Sequence, residues 1–274
     1  MDLKQARVTL RERSLLDVLD LAILFLSAHK GVYARTMLAV LVPCFAATWA
    51  MATWAGWAWA WATAVVFAIG AQAPFAALAS RLVFADDVRA REALKLALRA
   101  SPRIVVARVA QLVAVAASVA MLIVPAIYVG GVTLFVGEVA LLEGASVGRA
   151  FGRAQRIAGA QLGDAVFGAI VLGALPWAGA LLTDIAGRVV VHELLEIVSP
   201  APLFAEGGSV LALAGFWLAI PFVASARFLF YIGFRTRSEG WDIQTRFAAI
   251  AARTADEDAA RASFRPPPMK QVGT

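Results

Sequence analysis

Apolar residues run in long, nearly unbroken stretches along most of this chain, and the charged ones collect between them. A helix rising about 1.5 Å per residue needs about 20 mostly apolar residues to cross the hydrocarbon of a bilayer. Six stretches qualify: 36–56, 57–80, 104–125, 126–142, 162–186 and 209–234, the fourth being short and polar at its end. The pattern predicts an all-α polytopic membrane bundle. Residues 14–28 differ, because Arg13, Asp17, Asp20 and Ser27 form one stripe while Leu15, Leu16, Leu19, Ile23 and Leu26 cover the other faces. That pattern predicts a helix lying in the membrane interface, since a spanning one would bury two aspartates at roughly 2.5–3.5 kcal/mol each. The stretch also lacks a small-residue cleavage site, so a removed signal peptide is not expected.

The spans therefore define a single transmembrane domain over 1–247, followed by a flexible cytoplasmic tail, 248–274, that carries Asp256-Glu257-Asp258 and Pro266-Pro267-Pro268. Between the last two spans, a short external helix is expected over 189–198, ended by Ser199 and Pro200. Charge orients the bundle. Of the 25 Lys and Arg residues only Arg188 falls on one side, Arg108 and Arg227 lie within spans, and the rest share the other side, which makes that side cytoplasmic. Asp184, Glu193, Glu196 and Glu206 mark the external side, and Trp54, Trp57, Trp59 and Trp61 sit where an aromatic belt belongs. Both chain ends are thus expected in the cytoplasm, with the protein in a bacterial inner membrane.

A composition of 61% hydrophobic and 16% charged residues excludes an ordinary soluble domain, and the net charge of +6 sits in loops rather than on a nucleic-acid-binding face. One cysteine and two histidines exclude a disulfide framework and disfavour a Cys/His metal site. His192 and Glu196 would share a helical face, but His-Glu-Leu-Leu-Glu lacks the second histidine of a zinc-protease motif. No cofactor is expected.

Three short motifs carry a resemblance. Glu143-Gly144, Ala150 and Arg153 form one, Val124-Pro125-Ala126-Ile127-Tyr128 a second, and Tyr231 with Arg235-Thr236-Arg237-Ser238-Glu239-Gly240-Trp241-Asp242 the third. Together they resemble the membrane domain fused to some bacterial glycerophosphodiester phosphodiesterases. The resemblance implies a six-span membrane module with a turn at the second motif between spans three and four. It implies no enzyme, because the catalytic barrel of those proteins has no counterpart here. Ala154 and Ala126 replace the serine and glycine frequent in that family.

Two groups of residues carry candidate chemistry. Glu138, Arg108 and Arg227 fall at similar depth inside spans, where an unpaired charge is costly, so pairing is expected. Arg149, Arg153 and Arg156 share one helical face as a cradle for lipid phosphate, with Glu143, Arg235, Arg237, Glu239 and Asp242 on the same membrane side. Arg149 or Arg153 is expected to pair with Glu239 or Asp242. Ala165, Ala169 and Gly173 read as a helix-contact ridge.

These features predict a non-enzymatic scaffold or helper subunit whose basic face meets anionic lipid headgroups, with a membrane protein as its partner. The alternative is a small transporter or lipid-translocating protein that uses the Glu138/Arg227 layer. A water-accessible cavity reaching Glu138 would favour the latter.

Overall fold

The computed structural model describes residues 14–83, 88–194, 196 and 203–238. Every regular element among them is helical: α1 Leu15–Ala28, α2 Lys30–Ala55, α3 Trp57–Leu82, α4 Ala90–Met121, α5 Ile123–Val132, α6 Val136–Leu142, α7 Val147–Gly159, α8 Leu162–Val189, α9 Leu203–Glu206 and α10 Val210–Ser238. Six segments are long and apolar enough to cross a membrane: α2, α3, α4, α5 with α6, α8 with the turn that follows it, and α10. The chain is therefore a multi-pass, all-helical membrane protein.

Gly56 reverses the chain between α2 and α3 at φ 90°, ψ 169°, a conformation that side chains with a Cβ rarely adopt. The spans then alternate in direction. Their ends gather the arginine-rich connections at a basic end of the bundle and the Trp-rich hairpin at the opposite end. Around the long axis, α3 packs on α4, α4 on α5, α5 on α8, α8 on α10, and α10 back on α3. This ring of five helices positions the site.

Small residues let the ring close. At the α8–α10 crossing a Cβ on Gly215 would lie 2.2 Å from the carbonyl oxygen of Gly179, so the two backbones touch. Of the expected ridge on α8, Ala165 is buried and Ala169 packs against the core at the edge of a cavity, whereas Gly173 borders the cavity with open space where a Cβ would be. The true contact surface uses Gly168, set against Phe230, and Gly179.

Several boundaries also change. Helix α4 starts well before 104, because Ala93 and Ala97 continue its buried face beyond the apolar stretch. The chain turns at Leu122, and Pro125 lies in the first turn of α5, where its missing N–H removes no helical bond. The expected continuous span 126–142 is broken at Thr133-Leu134-Phe135. There the Thr133 hydroxyl donates to the Val129 carbonyl at 2.6 Å, and Phe135 inserts among Phe230, Tyr231 and Phe234 of α10. Irregular backbone at this depth is tolerable where protein or a cavity surrounds it.

Helix α1 is amphipathic in a different sense from that expected. Leu15, Val18, Ala22 and Phe25 are buried, α1 packs on α10, and Leu16, Ile23 and Leu24 stay exposed. Its start is a capping box in which the Ser14 hydroxyl accepts from the Asp17 N–H and the Asp17 carboxylate accepts from the Ser14 N–H. Asp17 is thereby used as a cap. Asp184, placed by the sequence on the external side, is buried. It accepts from Ser209 Oγ just before α10, from Arg188 Nη2 of its own helix at 2.5 Å and from the Leu203 N–H of α9 at 3.4 Å. Beyond α8 a π-turn runs over Val190–Leu194, and Glu196 has φ 52°, so the helix expected over 189–198 does not continue through 196. Hence His192 and Glu196 do not share a helical face. Residues 197–202 lie outside the described part.

Candidate functional site

Glu138 lies in α6, Arg108 in α4 and Arg227 in α10, on three helices that converge at one depth. Nη2 of Arg108 donates to both carboxylate oxygens of Glu138, at 3.2 and 3.4 Å, and Nε of Arg227 donates to Oε1 at 2.5 Å. Glu138 is 1% exposed, Arg108 7% and Arg227 9%. The sequence paired these residues by depth alone; the structure joins all three through one carboxylate. Two positive groups and one negative group leave the layer with an excess of one positive charge.

The layer is held by polar neighbours that sequence reasoning did not single out. Arg108 Nη1 donates to Gln111 Oε1 at 2.7 Å, and Gln111 Nε2 donates to the carbonyl oxygen of Thr133 at 2.8 Å and to its hydroxyl at 3.1 Å. The break between α5 and α6 therefore presents a backbone carbonyl to the network, as a continuous helix would not. The available signal was an amide side chain inside an apolar span, carried by both Gln111 and Gln72. Gly137 gave no such signal. A Cβ there would sit 2.3 Å from Arg108 Nε, so its absence lets the guanidinium lie against the backbone of α6. Gly137→Ala should evict Arg108 and lower stability by about 1–3 kcal/mol, read as thermal unfolding in mild detergent. Unchanged unfolding would show that the guanidinium does not need that space.

Above the layer, inside the ring, is a cavity of about 310 Å³. Arg108, Arg227, Gln72 and Gln111 form its polar end, and Leu172, Trp177, Phe216 and Ile220 are among its apolar walls. A smaller cavity of about 200 Å³ shares the same four polar residues. No described residue accepts from the terminal Nη atoms of Arg227 or bonds to the amide of Gln72, although both residues line both cavities. Leu112 and Trp177 on the rim are 40% and 44% exposed, so the main cavity is open to the surroundings.

A second cluster lies five residues further along, at the basic end. Glu143 accepts from Tyr231 Oη at 2.7 Å and from Arg153 Nε at 3.3 Å, with Arg235 Nη1 3.8 Å away. Arg237 reaches Gln161, and Asp164 at 3.5 Å. Arg149 and Arg156 stay on the exposed face of α7, donating through Nε to Ser146 and to the Gly152 carbonyl, around a surface hollow of about 440 Å³. The cradle's three arginines thus divide, with Arg153 committed to a carboxylate and the other two turned outward. Glu239 and Asp242, their expected partners, lie outside the described residues.

No family model, curated protein or solved structure matches the chain. The chemistry of the site is therefore read from its own side chains. Arginines and amides in a low-dielectric cavity bind anions through charge-assisted hydrogen bonds. Among the described residues no group of three metal-ligating side chains comes together.

Proposed function

We propose that the protein is a non-enzymatic, lipid-handling membrane protein that admits the anionic end of an amphiphile to the cavity beside Arg108 and Arg227 and carries it between the membrane faces. One observation carries this reading: a buried layer with excess positive charge opens, through Arg227 and Gln72, onto an apolar-walled cavity within the spans. The scaffold reading draws on the same layer as a brace, since Glu138 ties together three helices. The cavity favours the carrier. A phosphodiester-containing lipid is also in keeping with the resemblance to the phosphodiesterase membrane domain.

The test is transbilayer movement of fluorescent phosphatidylglycerol in vesicles reconstituted with the purified chain. Wild type should accelerate it, and Arg227→Gln should abolish the acceleration while the protein still folds, because Arg108 and Glu138 remain a neutral pair. Equal rates with and without wild-type protein would leave the scaffold.

In this proposal the basic end faces the cytoplasm of a bacterial inner membrane. Ala205 is exposed at the opposite end. A cysteine placed there, in a Cys44→Ser background, should label with an impermeant thiol reagent from outside, and a reporter after Thr274 should be active inside. Labelling of that cysteine only after permeabilisation would invert the orientation.

A further inference from the structure

The charge count at the layer deepens the carrier reading, on which it rests, by setting what the cavity accepts. Among the described residues, the only charged side chains lining the two cavities are Arg108 and Arg227, and the one carboxylate in reach, Glu138, lies behind them with both oxygens engaged. The next carboxylate, Glu143, is taken up by Tyr231, Arg153 and Arg235 at the basic end. A low-dielectric site is most stable when the charges inside it sum to zero. The layer is one positive charge in excess, so one negative charge neutralises it. A dianion would overshoot, and a headgroup with no net charge would leave the excess in place. We infer that the cavity selects an amphiphile whose headgroup carries a single negative charge, as a phosphodiester or a carboxylate does.

The geometry fits that occupant. The free Nη atoms of Arg227 and the unbonded amide of Gln72 offer N–H donors to anionic oxygens, and Trp177 and Phe216 offer apolar surface to what is attached. A volume of about 310 Å³ is roughly that of ten waters at about 30 Å³ each, enough for a headgroup, while the open rim leaves the acyl chains in the membrane.

Native mass spectrometry of the detergent-purified chain, titrated with defined amphiphiles, tests the rule. The probes are phosphatidylglycerol and oleate as monoanions, phosphatidic acid at alkaline pH as dianion, and phosphatidylcholine as the neutral headgroup. Wild type should hold one monoanion in preference to either other class by about ten-fold or more, because one unbalanced charge at close range in a protein interior is worth several times the thermal energy. Whether phosphatidylglycerol or oleate binds more tightly tells a lipid phosphate from a fatty-acid source. Arg227→Gln makes the layer neutral and should abolish the preference. Gln72→Arg adds a positive charge at the cavity wall and should move the preference to the dianion. Arg149→Gln with Arg156→Gln, which alters only the surface hollow, should leave it unchanged. One bound lipid whose selectivity ignores Arg227→Gln and Gln72→Arg would overturn the charge rule while keeping the carrier. Loss of selectivity in the Arg149/Arg156 variant alone would move the site to the basic surface. Retention of no probe at all would overturn both.

Discussion

Glu138→Gln should be the most damaging single change in the membrane interior, lowering stability by about 3–5 kcal/mol, the range found when a buried ion pair loses one partner. The carboxylate is 1% exposed and, among the described residues, is the only one paired with these two guanidinium groups, so the variant strands two like charges against each other. A simple pair would be rescued by neutralising one arginine. Here the Glu138→Gln/Arg227→Gln double variant still leaves Arg108 buried and charged, so it should recover only part of the loss. The triple variant, with Arg108→Gln as well, removes every charge and should recover most of it. Thermal unfolding of the single, double and triple variants in the same detergent checks the order. Full recovery in the double variant would mean that Arg108 is not held by this carboxylate.

Gly215→Ala is expected to disrupt the α8–α10 crossing, with a loss of about 1–3 kcal/mol or more. Its new methyl would lie 2.2 Å from the Gly179 carbonyl oxygen and 2.5 Å from Thr183 Oγ1. The backbone of α8 cannot rotate away as a side chain can, so the two helices must separate. Gly173→Ala, on α8 but facing open space, should be neutral or slightly stabilising through helix propensity. The two variants compared by thermal unfolding separate close packing from a general intolerance of alanine. Equal stability of both would show that the crossing is looser than its geometry implies.

Both predictions turn on contacts between helices far apart in sequence. The local pattern nonetheless reached a considerable distance. Apolar run length placed six spans because the bilayer sets a fixed thickness and an unpaired backbone group in lipid is intolerable, so each run must be a helix. The same economics of burial singled out Glu138, Arg108 and Arg227, since charges within such runs are costly enough to demand a partner. On α7 the structure buries Ala150, Ala154, Ile157 and Ala158 and leaves Arg149 and Arg156 outside.

What the pattern could not supply was partner identity. That Arg153 meets Glu143 depends on how α6 and α7 converge, and hydropathy holds no term for that. A span interrupted at Thr133 looks continuous to any window of apolar residues, because the break is made by a side-chain hydroxyl and an inserted phenyl ring, not by a change in polarity. The sequence pattern puts Asp17 on the polar stripe of an interfacial helix and Asp184 on the external side, yet one caps α1 and the other is buried on Ser209 and Arg188. The cavity is the clearest case. Ala169, Gly173 and Gln72 carry the same local sequence signal whether a neighbouring helix covers them or not. Only the ring of α3, α4, α5, α8 and α10 decides that they face an open space, with Arg227 at its floor. Sequence alone fixed the number of spans, their helical character and the residues that needed partners, because those follow from one-dimensional transfer energies. The shared carboxylate, the broken helix and the cavity came from the tertiary structure, because each is a relation among side chains that meet only when the helices pack.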